Sequence, residues 1–282
     1  FVIFIFSFFF ITGILIYDDY GISWDEYFGR INGFVSLNLI RKLFSLNIIY
    51  PDVVHSSKAW IEGAKMYGVL FDLPMAFIEE KLKINDSKNY FLLRHFFNFL
   101  IFFVSSIFFY LLLKKRFSKE LSVIGLLFLI LSPRIFAESF YNMKDIVFLS
   151  FFIIGLYFAI NFLNTSSYKN AFFSSITCSL VIAVKVIGII IPFIVFVFFV
   201  LKSLDNINYL KKNIFKIIIF FFLLIFFTIL FWPYLWSDPL SNFLKALISF
   251  SSHPWRGSVF YFGEYISAMN LPWHYPIVWI LI

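Results

Sequence analysis

Residues 217–231 read "IIIFFFLLIFFTILF", with no charge and no alternation of polar and apolar positions. A membrane strand shows a two-residue alternation over about ten residues, so this run excludes a strand and calls for a helix that is apolar all round. Water cannot solvate such a helix, and lipid can. Composition extends the argument to the whole chain. Of 282 residues, 61% are hydrophobic and 14% are charged, whereas about 25% are charged in an ordinary soluble domain. The 45 phenylalanines are more than one aqueous core of this length can bury.

About 20 apolar residues cross a bilayer core of ~30 Å. On that measure spans are expected near Phe1–Ile16, Phe96–Leu113, Leu121–Leu131, Ile146–Leu163, Phe172–Lys202 and Ile217–Leu235, with another beginning near Pro276. The expected fold class is an all-α polytopic membrane protein with about 7–8 transmembrane helices. The chain does not open on Met and stops inside an apolar run, so we expect one integral membrane domain, 1–282, truncated at both ends.

Basic loops give the orientation, because Lys and Arg concentrate in cytoplasmic loops. "KKRFSK" at 114–119, Lys169, Lys202, Lys211, Lys212 and Lys216 share a side only if the run 172–202 goes down and back. Lys185, Gly188 and Pro192 lie in its middle, where two short helices would meet at a polar point. The Asp25 loop, residues 132–145, Lys185 and residues 236–275 then share the opposite face. The net charge of +7 is mostly these basic loops and gives no case for nucleic acid. Cys178, the single cysteine, lies in an apolar run and reads as a packing residue.

Three polar features sit on that outer face. Residues 17–95 form a first outer loop with amphipathic helices. One helix has Phe28, Ile31, Phe34, Val35 and Leu39 along one side, with Arg30, Asn32, Ser36 and Arg41 elsewhere, and another follows Asp72 and Pro74. Ser23-Trp24-Asp25-Glu26 opens the first as a capping box, with Glu26 reaching back to Ser23 and Asp25 in the first turn. The second feature, "SPRIFAESFYNMKDIVF" at 132–148, packs Arg134, Glu138, Asn142, Lys144 and Asp145 into a short turn. It reads either as local ion pairs or, with Lys185, as a cationic site for an anionic group at membrane depth. The third is an outer aromatic and proline-rich loop at 236–275, whose chemically interesting side chains are His253, Arg256, Glu264 and His274.

Taken in order, "WDE", "RHFFNFL", "SPRIFAESFYNMKDIVF", "AVKVIGIIIP", "WPYLW" with "DPL", and "PWHYP" resemble the GT-C class of membrane glycosyltransferases. The closer likeness is to its bacterial protein-O-mannosyltransferase and aminoarabinose-transferase branch (glycosyltransferase family 39). The resemblance implies a GT-C-like bundle in the bacterial inner membrane, with its active site on the periplasmic or extracellular face. It implies transfer from a polyprenyl-phosphate-linked sugar donor to a protein, lipid or glycan acceptor of the cell envelope. The first acid of the loop-one pair is the base in such enzymes, which is Asp25 here, with Glu26 its neighbour. Arg134, Lys144, Lys185 and Arg256 are then the candidates for the donor phosphate, with Glu138, Asn142 and Asp145 as further site residues. Some members use a divalent cation and others do not, and no full ligand set can be placed. A transporter or flippase of lipid-linked anions, or a non-catalytic lipid-binding relative, would also gather cations at the surface.

Overall fold

The computed structural model describes residues 1–48, 66–251 and 257–281. Twelve α-helices lie within them: α1 (Val2–Ile16), α2 (Trp24–Leu43), α3 (Asp72–Lys81), α4 (Ser87–Lys114), α5 (Lys119–Ile130), α6 (Pro133–Tyr141), α7 (Asp145–Asn164), α8 (Tyr168–Ile182), α9 (Ile190–Asp205), α10 (Ile207–Phe231), α11 (Pro239–Ser251) and α12 (Tyr275–Leu281). The sheet structure among these residues is one hairpin, β1 (Ser258–Tyr261) and β2 (Glu264–Ser267), paired from Ser258 with Ser267 to Tyr261 with Glu264. The architecture is all-α and polytopic, as composition demands.

Among the described residues, four helical stretches are long and apolar enough to cross a membrane: α4, α7, Val186–Asp205 and α10. A fifth forms if α5 and α6, bent by 60° at their junction, count as one. Pro133 makes that bend, because it lacks an N–H and forces the residue before it out of the helical region. Helix α1 is apolar but 15 residues long, and α8, of the same length, carries Lys169, Asn170 and several serines. The helices start where polar side chains cap them: Asp86 accepts from Asn89 N, Ser167 from Asn170 N, and Asn206 from Asn208 and Tyr209 N. Helix α4 begins nine residues before the expected Phe96, which brings Arg94 and His95 into it.

The bundle has two ends, about 30 Å apart along the 20 residues of α7 at about 1.5 Å each. At one end Lys185 meets Asp145 and Lys144 meets Asp25. At the other, Lys115 meets Asn161, and Lys202 donates to Leu163 O at 2.6 Å. The run 172–202 therefore does go down and back: α8 ends at Ile182, Lys185 lies at the break, and Val186–Ile189 forms a 3-10 turn into α9.

Helix α4 packs against α1, α5, α6 and α7, while α8 sits against α7 and α10. The first group closes around Phe9, Phe99, Phe102, Leu126 and Phe140, with Phe99 and Phe140 stacked. The second closes around Phe162, Val181, Ile191, Val195 and Phe220. Cys178 is buried in this second group, as a packing residue should be. Phe4, Phe8, Phe128, Phe193, Phe215 and Phe222 remain exposed on the perimeter, an apolar surface that hydrocarbon covers.

The first polar segment differs from expectation in one respect. Arg30, Asn32 and Ser36 of α2, read as its polar side, are buried, as are Ile31 and Phe34. Helix α2 packs on α3 so closely that a Cβ on Gly33 would lie 2.2 Å from the Asp72 carbonyl oxygen. The polar side is buried because α3 supplies its counter-charges, a partner that periodicity within α2 cannot reveal.

Candidate active site

A cavity of 520 Å³ opens at the end of the bundle where α2, α7 and the α8–α9 break meet. Asp25, Tyr67, Lys144, Asp145, Lys185 and Phe250 are among its walls. Asp25 sits in the first turn of α2, where the helix dipole favours a carboxylate. Its side chain is 60% exposed, and its Oδ1 accepts from Lys144 Nζ at 3.3 Å. Lys144 Nζ also lies over the rings of Phe28 (4.5 Å) and Tyr67 (4.9 Å), which fixes its direction.

Lys144 and Asp145 are placed by Asn142. Its Oδ1 accepts from Lys144 N at 3.3 Å and Asp145 N at 2.8 Å, holding the turn into α7 as an Asx side chain does. Its Nδ2 donates to Glu138 Oε2 at 3.1 Å and Asp145 Oδ2 at 3.2 Å. Lys185 donates to Asp145 Oδ1 from the extended backbone at the helix break. Two lysines thus face the cavity, each resting on a carboxylate more than half exposed.

The third wall is the segment before α3. Gly68 passes so close to the break after α8 that a Cβ there would meet the Ala183 carbonyl oxygen at 2.2 Å. Leu70 N donates to that same oxygen at 3.1 Å. Tyr67 stacks edge-on with Phe28 and Phe250. Burial, and then the charge of Asp25, push the Tyr67 phenol above its usual range, so it stays protonated beside the carboxylate.

The other sequence-predicted residues distribute as follows. Glu26 does not reach the cavity: it is buried, takes Ser23 N on Oε1 at 2.6 Å, and takes His95 Nε2 on Oε2 at 2.8 Å. The capping box is therefore present. Arg134 is 70% exposed, pairs with Glu138 at 2.8 Å, and faces Trp279 and Tyr261 in a separate hollow. Glu138 bridges Arg134 to Asn142 rather than lining the cavity. Glu264 is exposed on β2, and His274 lies half-buried against Tyr261 and Trp273. His253 and Arg256 lie outside the described residues.

Behind the cavity is a buried charge network that sequence reading missed. Glu79 of α3 takes Arg30 at 2.5 Å and Arg94 at 2.9 Å, and all three are buried. Asp72 accepts from Asn32 Nδ2 at 3.1 Å. Burial pushes the Asp72 carboxyl up to about 6, against the opposing effects of Arg94, the Asn32 hydrogen bond and Lys144. The signal available was the pair Glu79-Glu80 on a helix of membrane-loop length, with Arg94 and His95 one helix later; such charges near lipid need named partners. Among the described residues no three His, Cys, Asp or Glu side chains gather as a metal site.

What this end of the bundle can do is hold an anion between two lysines while presenting Asp25 to a neighbouring hydroxyl. Comparison with known proteins gives the chain a family. The model of the family "Dolichyl-phosphate-mannose-protein mannosyltransferase" matches residues 61–237, more than half of the chain. That region contains Lys144, Asp145 and Lys185, and Asp25 precedes it. No curated protein and no solved structure matches the chain. The chain belongs to the dolichyl-phosphate-mannose-protein mannosyltransferase family and is a membrane glycosyltransferase of the GT-C type.

Proposed function

We propose that the protein transfers a sugar from a polyprenyl-phosphate donor to an acceptor hydroxyl of the cell envelope, on a protein, lipid or glycan, at the outer face of the bacterial inner membrane. Asp25 is the base. The acceptor oxygen forms its bond to the anomeric carbon as the carbon–oxygen bond to phosphate breaks, and the acceptor proton passes to Asp25. Attack from the side opposite the phosphate inverts the anomeric carbon. The departing phosphate gains charge, and fixed cations stabilise it; Lys144 and Lys185 take that role.

The observation that carries this reading is the convergence of Asp25, Lys144 and Lys185 on one cavity. Both lysines rest on carboxylates about 60% exposed, and exposed pairs contribute only about 0–1 kcal/mol. A phosphate can therefore replace either carboxylate at little cost, and its arrival at Lys144 frees Asp25 to act as base.

An apolar groove of 300 Å³ lined by Ile182, Ile189, Leu224, Ile229, Leu240 and Phe243 takes the polyprenyl chain. Helix α11 joins the two spaces, since Leu240 and Phe243 face the groove while Leu247 and Phe250 face the cavity. The test is transfer from a polyprenyl-phosphate mannose donor by the protein reconstituted in lipid, followed by mass spectrometry of envelope glycans with and without the gene. Product with inverted anomeric configuration supports the reading, and absence of any sugar transfer opposes it.

A further inference from the structure

Helix α4, a membrane-spanning helix, buries a histidine against the residue next to Asp25. His95 is 1% exposed and Glu26 is 0% exposed. A carboxylate only accepts, so the 2.8 Å contact makes His95 Nε2 the donor to Glu26 Oε2. His95 Nδ1 has no partner among the described residues. The other oxygen of Glu26 takes the Ser23 amide at 2.6 Å. One carboxylate thus joins the first turn of α2 to a transmembrane helix.

We propose that His95 is a positioning residue for sugar transfer: through Glu26 it fixes the helix start that carries Asp25, and so sets the direction of the catalytic carboxylate. This rests on Asp25 being the base. The two neighbouring residues of α4 divide the work. Arg94 holds α3 through Glu79, and His95 holds α2 through Glu26. Asp25 is 60% exposed and makes one 3.3 Å pairing with Lys144, so its own contacts constrain it weakly. Its backbone is constrained strongly, because it directly precedes Glu26. Without the His95 donor, Glu26 Oε2 is a buried acceptor lacking a partner, and the carboxylate recovers one only by rotating away from Ser23 or admitting water. Either change loosens the first turn of α2. A displacement of about 1 Å at a catalytic group can lower turnover about 100-fold.

The test separates reach from polarity at position 95. His95→Gln places an N–H near the position of Nε2, whereas His95→Asn is too short and His95→Leu has no donor. All three are made in the full-length protein, reconstituted in lipid, and assayed with polyprenyl-phosphate mannose alongside Asp25→Asn. The expectation for folded Asn or Leu variants is a fall in kcat of tenfold or more with donor KM within about twofold, and recovery of most of the turnover in His95→Gln. Hydrogen exchange at Ser23–Tyr27 should quicken in the Asn and Leu variants and not in Gln. Equal turnover in Gln and Asn, a change confined to KM, or failure of both Asn and Leu to fold would overturn the positioning role. Wild-type turnover in Asp25→Asn would instead remove the base assignment, a different result from an inert position 95.

Discussion

Lys144 and Asp25 are 119 residues apart in the chain and 3.3 Å apart in the structure. The first sits where α6 turns into α7, and the second starts α2. Their meeting makes one site from two segments that have no periodicity in common. It also predicts which cations handle the donor.

Replacing Lys144 or Lys185 by Gln should raise the donor KM and lower kcat/KM by about 10- to 100-fold, because a hydrogen bond to a charged group contributes about 1.5–3 kcal/mol. Arg134→Gln should change kcat/KM by no more than about threefold, since Arg134 faces a different hollow and pairs with Glu138. Steady-state kinetics with a polyprenyl-phosphate sugar decides the matter. An Arg134 effect equal to that of the lysines would contradict the assignment.

The buried network gives a stability prediction. Glu79 lies between Arg30 and Arg94, and its removal leaves two guanidinium groups without their counter-ion in a dry environment. Breaking such a pair costs about 3–5 kcal/mol. Thermal unfolding in detergent should show Glu79→Ala far less stable than Glu80→Ala, whose partner Arg41 is one-fifth exposed.

Asp72 adds a pH dependence. Its folded-state pKa of about 6 lies above the ordinary 3.8, so the folded protein binds more protons than the unfolded chain between those values. Stability therefore falls as pH rises from about 4 through 6 and levels off above, by about 3 kcal/mol at about 1.4 kcal/mol per unit. Asp72→Asn removes this titration. Its melting temperature relative to wild type should rise progressively across that window, and a pH-independent difference would contradict the burial argument.

A Cβ on Gly68 would overlap the Ala183 carbonyl oxygen at 2.2 Å. Gly68→Ala should push Tyr67 and its segment away from the helix break, with a packing cost of about 1–3 kcal/mol. Because Lys185 follows that break, turnover should fall together with melting temperature. Unchanged activity in Gly68→Ala would show that this wall does not shape the site.

Much of the architecture was legible in one-dimensional pattern. Apolar runs locate α1, α4, α5, α7, α10 and α12, and the sidedness of lysines separates α8 from α9 at Lys185. That works because lipid imposes length and polarity rules on each segment independently. The capping box at Ser23 was likewise readable, being local to four residues. Arg30, Asn32, Glu79, Arg94 and His95 were not, because their burial is decided by partners on other helices. Arg134 shows the converse: its Glu138 partner, four residues on, competes with any distant role. Asp25 was picked out by the family resemblance, and Lys144 and Lys185 with Arg134 and Arg256 as charges on one face of the membrane, where an ionisable residue calls for a partner; which of the four cations share the Asp25 cavity is decided by the tertiary fold.

The central claim is that Asp25 accepts the proton of the acceptor hydroxyl. Its most direct test is the single-turnover rate of sugar transfer in Asp25→Asn at saturating donor. Asparagine keeps the size of the side chain and cannot take the proton, so the account predicts a rate lower by about 100-fold or more, with unchanged melting temperature and donor affinity. Transfer at the wild-type rate would contradict it.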